Sequence, residues 1–304
     1  MSNPFEHFTP DFCATGTFMR LPSERENAKL AVLGMPFDTA ASYRAGARFG
    51  PQSIRQASVT LSPHNHVLNI SPFEETQAID IGDLHVITQN IHKSYEIMEK
   101  AMLDLMKNNI IPIGLGGDHS ITLASLRAAA KVYGPVALLQ FDSHTDTWDT
   151  YMEEKYWHGS PFIRAHEEGL LQPDKVFQIG MRGWDIDSSL ELGYQVITQE
   201  ELFERGIQDV VKQVKRVVGQ TPCFLTFDID FVDPAFAPGT GTPEIGGFSS
   251  YETIKLVRSL TGMNFIGFDL VEVLPTYDPT EITALLAATI VHQFGSLAAL
   301  QLKR

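Results

Sequence analysis

Residues 140–148 read Gln140-Phe-Asp-Ser-His-Thr-Asp-Thr-Trp148, and they end the uncharged run Val136-Ala-Leu-Leu-Gln-Phe141. Such a run has the pattern of a strand buried on both faces, and strands of that kind belong to parallel sheets covered by helices. Asp142, His144 and Asp146 stand two residues apart. On an extended backbone, residues i, i+2 and i+4 share a face. The spacing therefore predicts two carboxylates and an imidazole side by side at a strand end, with Ser143 and Thr145 turned away. Bare carboxylates in that place are costly without a partner charge.

The same grammar extends outward. Leu30–Met35, Gln77–Ile81, Ile110–Leu115, Val176–Met181, Tyr194–Ile197, Cys223–Phe227 and Phe265–Leu270 read as further strands. Between them lie helical segments. Ile91, Tyr95, Met98, Met102 and Leu105 form one apolar stripe. Gly50-Pro51 opens a helix with proline in its first turn. Residues 121–131 are rich in Ala and Leu, and a helix is expected around Pro161–Glu168. Thr198 with Glu201, and Ser249 with Glu252, have capping-box spacing. The first of these predicts a helix continuing to about Val218, and a last helix starts near Glu281. Alternation of strand and helix predicts an α/β protein, an α/β/α sandwich about a parallel sheet. Residues 1–28, punctuated by Pro4, Pro10, Gly16 and Pro22, read as an irregular arm, and 29–304 as a single domain.

The chain has 304 residues, 43% of them hydrophobic and 20% charged, as in a globular protein. Its two cysteines, Cys13 and Cys223, exclude a disulfide framework and fit a reducing compartment, the cytoplasm. No signal peptide is apparent at the N-terminus. No apolar stretch is expected to approach the length that spans a bilayer, because Thr283 and Thr289 interrupt Ile282–Val291. A net charge of −14 argues against a nucleic-acid partner and permits divalent metals and cationic small molecules.

In open parallel sheets, ligands bind outside the carboxyl ends of the strands. Four polar clusters follow apolar runs there: His119 in Gly116-Gly-Asp-His-Ser120, the Asp142/His144/Asp146 set, Asp228 with Asp230, and Glu272. Taken singly, His119 also reads as a structural helix-start residue, Glu272 as a strand-end salt bridge, and Asp233, before Pro234, as a turn cap. Together, two His and four Asp are too many for one four-coordinate zinc, and no cysteine is among them. Imidazole with several carboxylates suits manganese or a similar ion. Six ligands, some shared, suit two metals, and a metal pair makes hydroxide available at neutral pH for attack on an electrophilic carbon or phosphorus.

Gly116-Gly-Asp-His-Ser120, Asp142–Trp148, His158-Gly-Ser-Pro161 and the long segment Thr226-Phe-Asp-Ile-Asp-Phe-Val-Asp-Pro-Ala-Phe-Ala-Pro-Gly-Thr-Gly-Thr-Pro-Glu-Ile-Gly-Gly247 resemble the ureohydrolase (arginase/agmatinase) family. The resemblance runs from Arg44 to Glu281. It implies an eight-stranded sheet, a binuclear Mn²⁺ centre, trimers or hexamers, and hydrolysis of a guanidino group to urea and an amine. By position, His119, Asp142, His144, Asp146, Asp228 and Asp230 match the metal ligands. His158 matches a proton-shuttling histidine, and Glu272 the carboxylate that holds the guanidinium. A guanidinium pairs bidentately with a carboxylate, so the last assignment is chemically sound.

Residues 147–158 are expected to read the far end of the substrate. Lys155-Tyr-Trp157 stands where arginases usually show Ser-Gly-Asn, which argues against arginine. Tyr151, Tyr156 and Trp157 are candidates for an apolar channel, and Asp149, Glu153 or Glu154 for meeting an ammonium. The segments Tyr277–Ala284 and Ala41–Gly46 are similar to those of agmatinases, which implies conversion of agmatine to putrescine and urea. The stretch from Ser71-Pro-Phe73 to Asp80-Ile-Gly-Asp83 and the segment His158–Phe162 also resemble guanidinobutyrases, with Lys155 or Arg164 as partner for a substrate carboxylate. A single-zinc deacetylase-like enzyme and a non-catalytic binding protein stay open as other classes.

Overall fold

The computed structural model describes residues 16–304, so residues 1–15 of the expected arm, Cys13 among them, lie outside the described residues. Among the described residues, eight strands form one all-parallel sheet: β1 (Leu30–Met35), β2 (Ile79–Asp83), β3 (Ile111–Gly116), β4 (Val136–Phe141), β5 (Leu171–Met181), β6 (Gln195–Thr198), β7 (Cys223–Asp228) and β8 (Phe265–Val271). Their order is β2-β1-β3-β8-β7-β4-β5-β6. The four strands that precede the polar clusters, β3, β8, β7 and β4, are therefore consecutive at the centre of the sheet.

Successive residues of one strand serve opposite cores, as the pleat requires. Val32 and Leu139 join an apolar cluster with Ile54, Val214, Leu256 and Ile290. These come from helices α1 (Gly50–Ser58), α8 (Ile207–Val218), α9 (Ser250–Ser259) and α10 (Ile282–Leu302). Leu33 and Leu138 join a second cluster with Met98, Leu126 and Phe162, from α3 (Ile91–Lys107), α4 (Thr122–Tyr133) and α5 (Pro161–Glu167). Helices thus cover both faces, which gives the three-layer sandwich. Short helices α2 (Pro72–Glu75) and α6 (Ile186–Glu191) and helix α7 (Gln199–Arg205) complete the set.

Three expectations change. The helix expected from Thr198 to Val218 is two helices, because Gly206 adopts φ +76° between α7 and α8. The described end of the arm is not loose: Phe18 is fully buried and its N–H donates to Asp80 Oδ2 at 2.6 Å. Burial of one such ring is worth roughly 1.5–3 kcal/mol. Finally, α10 has 21 residues of mean hydropathy 1.5, long and apolar enough to cross a bilayer. Its two threonines do not break it, since both fit a helix whose 18-residue apolar window is 83% buried inside the fold.

Candidate active site

The Asp142–Asp146 stretch does not continue as a strand. Asp142 donates its N–H to Ile179 O at 3.2 Å and Ser143 O accepts from Arg182 and Gly183, and the chain then bends until Asp146 adopts φ +51°. The bend has a local cause. Asp142 Oδ1 accepts the N–H of His144 at 2.8 Å, while Gln140 Nε2 bridges Asp142 Oδ2 and His144 O, each at 2.9 Å. An aspartate that binds the backbone two residues on makes a turn. Asp228 repeats the device: its Oδ1 accepts the Asp230 N–H at 2.8 Å, and a 3-10 turn over Ile229–Phe231 follows. The side chains converge through these turns, and the pleat plays no part.

All six expected ligands meet at one place. His119 Nδ1 lies 3.0 Å from Asp142 Oδ2, 2.9 Å from Asp146 Oδ2 and 3.4 Å from Asp228 Oδ2. His144 Nδ1 lies 3.0 Å from Asp230 Oδ2 and 3.7 Å from Asp142 Oδ1. Two clusters able to hold a metal result, His119/Asp142/Asp146 and Asp142/His144/Asp230, each with ligand atoms within 4.8 Å of one another. Asp142 belongs to both.

The electrostatics point the same way. Burial alone would lower the imidazole pKa values. The carboxylates outweigh it, raising His144 to about 11, mainly through Asp230, and His119 well above its ordinary value through Asp142, Asp146 and Asp228. Burial, then repulsion from Asp230 and Asp146, pushes Asp142 up to about 7, and burial with Asp230 also raises Asp228. Asp230 is lowered despite its burial, because His144 faces it. Protons are held here for want of another positive charge. His119 Nδ1 and Asp230 Oδ2 are buried yet have no hydrogen-bond partner, although acceptors or donors crowd them. Orphaned ligand atoms, one in each cluster, in a hard-oxygen and imidazole set, fit divalent metal.

Glu272 and His158 sit beside this cluster. Glu272 Oε1 accepts the backbone N–H of His119 at 2.9 Å and meets His158 Nδ1 at 3.0 Å, while Oε2 is buried without a partner. His158 Nε2 faces Ser42, 2.7 Å from its Oγ. Asp118, which carries no signal of its own in the sequence, accepts the Ala40 N–H at 3.0 Å and so ties the Ser42 loop to the strand end that carries His119.

A cleft of about 620 Å³ opens above, lined by Tyr43, Trp148, Tyr151, Trp157, Trp184 and Glu244 together with His144, Asp146, His158 and Asp228. Tyr151 and Trp157 take the expected places. Tyr156 does not: it packs on His92 and Tyr95, and with Glu154 it borders a separate hollow. Asp149 pairs with Arg164, whose side chain is buried, and neither lines the cleft. Glu153 and Lys155 do not line the cleft. Trp184 and Glu244 replace them. Trp184, three residues past the end of β5, and Glu244, within the long Thr226–Gly247 segment, carry no signal of their own in the sequence.

The profile of the Arginase family matches residues 28–295. The chain is 44% identical over 280 residues to agmatinase of Escherichia coli, covering 90% of each sequence. It is 41% identical over 294 residues to guanidinobutyrase of Pseudomonas aeruginosa, covering 93% of this chain and 92% of the relative. In structure it superposes on the proclavaminate amidino hydrolase of Streptomyces clavuligerus with a TM-score of 0.92 and 36% identity, over 96% of this chain and 99% of the other. The chain belongs to the arginase family, and it is an enzyme of the ureohydrolase type.

Proposed function

We propose that the protein hydrolyses agmatine to putrescine and urea, with two Mn²⁺ held by His119, Asp142, His144, Asp146, Asp228 and Asp230. The observation that carries the substrate is the cleft: among its described lining residues are five aromatic rings and Glu244, and none is Lys or Arg. Aromatic faces suit a methylene chain and a cationic end, and a carboxylate suits an ammonium. Apart from the two histidines, the ionisable groups of the lining, Asp146, Asp228 and Glu244, are all acidic, so a substrate carboxylate at the far end would meet like charge.

The metals, when bound, supply Lewis acidity that activates water next to the substrate carbon. The protein's own groups do the rest. Glu272 Oε2, buried and free, accepts N–H bonds from the guanidinium and fixes its plane over the cluster. Its other oxygen is held by His119 N–H and His158, so the carboxylate is immobile before the substrate arrives. His158, 3.0 Å from Glu272, delivers the proton that the departing amine nitrogen needs. Cytoplasmic location fits a chain with two cysteines, of which Cys223 is free and buried. Homo-oligomeric assembly rests on the family resemblance.

A second reading, 4-guanidinobutyrate as substrate, is favoured by the guanidinobutyrase relative, which matches at nearly the agmatinase level. Urea release with Mn²⁺ separates them, measured across agmatine, 4-guanidinobutyrate, 3-guanidinopropionate and arginine. Agmatine is expected to have the highest kcat/KM. Faster turnover of 4-guanidinobutyrate would overturn the choice, and absence of urea from all four, with metals loaded, would restore the non-catalytic reading.

A further inference from the structure

Behind His119 lies a buried carboxylate that the reaction as described does not use. Asp269 is fully buried in the middle of β8, and the sheet register sets it opposite Thr226 on β7 and Gly114 on β3. Thr122 Oγ1 donates to Asp269 Oδ2 at 3.0 Å and lies 3.4 Å from Thr226 Oγ1. Thr226 Oγ1 in turn lies 2.8 Å from His119 Nε2. All four side chains are inaccessible to solvent. Burying an aspartate in a central strand costs several kcal/mol unless it accepts hydrogen bonds, so its place in the strand needs a reason.

We infer that Asp269, Thr122 and Thr226 form a positioning relay for His119. The Thr122 hydroxyl donates to Asp269, and the roles of the other two contacts follow from that one. Asp269 accepts from Thr122, the Thr122 oxygen accepts from Thr226, and the Thr226 oxygen accepts the N–H of His119 Nε2. That direction fixes the proton of neutral His119 on Nε2 and leaves the Nδ1 lone pair facing Asp142, Asp146 and Asp228. Metal-binding imidazoles are held in their tautomer and ring orientation by a partner on the other nitrogen, and loss of that partner costs about 10–100-fold in metal affinity. Here the partner is a hydroxyl backed by a second hydroxyl and a buried carboxylate, supplied by three different elements: α4, β7 and β8. The inference rests on the metal-centre reading proposed above.

The test is Mn²⁺ binding followed by the paramagnetic resonance of the free ion, with thermal unfolding of the metal-free proteins alongside. Thr226→Val keeps the size and branching of the side chain and removes the hydroxyl. It is expected to weaken Mn²⁺ binding by about 10–100-fold in a metal-free protein that still folds, with a somewhat lower melting temperature because the buried His119 N–H loses its partner. Thr226→Ser restores the hydroxyl and is expected to restore the affinity. Asp269→Asn, which keeps the shape and removes the obligate acceptor, is expected to weaken binding in the same direction. Should Thr226→Val fail to fold, the serine and asparagine variants still decide. Mn²⁺ bound as tightly by Thr226→Val or Asp269→Asn as by the parent overturns the relay, and so does a Thr226→Ser variant with weakened binding. A parent chain that binds no Mn²⁺ would instead refute the metal centre itself.

Discussion

His158 Nδ1 lies 3.0 Å from Glu272 Oε1, and Glu272 reaches it from a left-handed backbone with φ +62°. A residue other than glycine in that region carries about 1–3 kcal/mol of strain. The cost is met locally by the Glu272 N–H bonded to Gly117 O at 2.9 Å and the His119 N–H bonded to Oε1.

The pair has a titration signature. Burial by itself would lower the His158 pKa, but Glu272 outweighs it and raises the ring from 6.5 to about 9. A folded value above the unfolded one stabilises the fold fully below pH 6.5, and that stabilisation is lost as pH rises through about 9. In chelator-treated protein, the His158 ring followed by NMR is expected to titrate near pH 9, and Glu272→Gln to bring it back down. A ring that titrates at its ordinary value in the parent would sink the assignment of this pair. His158→Ala is expected to retain Mn²⁺ and lose rate, whereas a variant that lost both would belong to the metal site.

Removing one of the repelling carboxylates separates metal binding from folding. Asp228→Asn is expected to lose Mn²⁺ and urea release together, and His144→Ala likewise. Yet metal-free Asp228→Asn is expected to melt at or above the temperature of the metal-free parent, because burial and Asp230 already disfavour that charge. Asp142 contributes to the pH dependence of the metal-free parent, because burial and Asp230 hold its folded pKa, about 7, above the ordinary 3.8. Its proton is bound more tightly when folded, so Asp142 makes the fold less stable as pH rises through that interval. Added Mn²⁺ should raise the parent's Tm by mass action and leave that of Asp228→Asn nearly unmoved. Full Mn²⁺ occupancy in Asp228→Asn would refute the ligand set.

Gly117 is required by a close approach. A Cβ there would stand 1.9 Å from Phe37 O and 2.8 Å from Met35 O, both backbone atoms that cannot rotate away. Gly117 also donates its N–H to Met35 O at 3.1 Å, and its neighbour Asp118 donates to Phe37 O at 2.8 Å. Gly117→Ala is expected to cost about 1–3 kcal/mol by denaturant unfolding and to weaken Mn²⁺ binding, since His119 is two residues on. An alanine variant with the parent's midpoint and affinity would show that the two segments part more easily than their contacts imply.

The strand ends were legible in the sequence because an uncharged run that stops abruptly at Asp, His or Glu marks where a buried strand leaves the sheet. His119, Asp142, Asp228 and Glu272 could thus be assigned to one sheet end from residue order alone. The trajectory beyond was not legible. Asp142 and Asp228 each bind the N–H two residues on, which turns the chain where spacing alone implies extension. Loop side chains were harder still. Tyr156 and Arg164 have the right chemistry for a substrate channel, but Tyr95 and Asp149 take them first. These contacts join separate segments, and no local pattern announces them. Trp184 and Glu244 are the converse: inconspicuous in sequence, they reach the cleft because β5 and β7 flank β4.

The proposed choice of a cationic substrate rests on Glu244. Its Oε1 is 3.7 Å from His144 Nε2, and it lines the cleft together with the aromatic rings. Loss of a hydrogen bond to a charged group is worth about 1.5 kcal/mol, roughly tenfold in affinity. Glu244→Gln is therefore expected to raise KM for agmatine about tenfold, with kcat changed much less. For 4-guanidinobutyrate the same substitution removes a repulsion, so its KM should fall, and Glu244→Lys should lower it further. Trp184→Ala, which removes one exposed ring face, is expected to cost about 0.5–1 kcal/mol, or two- to fivefold in KM for agmatine. Mn²⁺ content must stay at the parent's level in each variant. Equal KM changes for the cationic and anionic substrates, or loss of Mn²⁺ from Glu244→Gln, would assign Glu244 to supporting His144 and leave the substrate's charge to be read elsewhere.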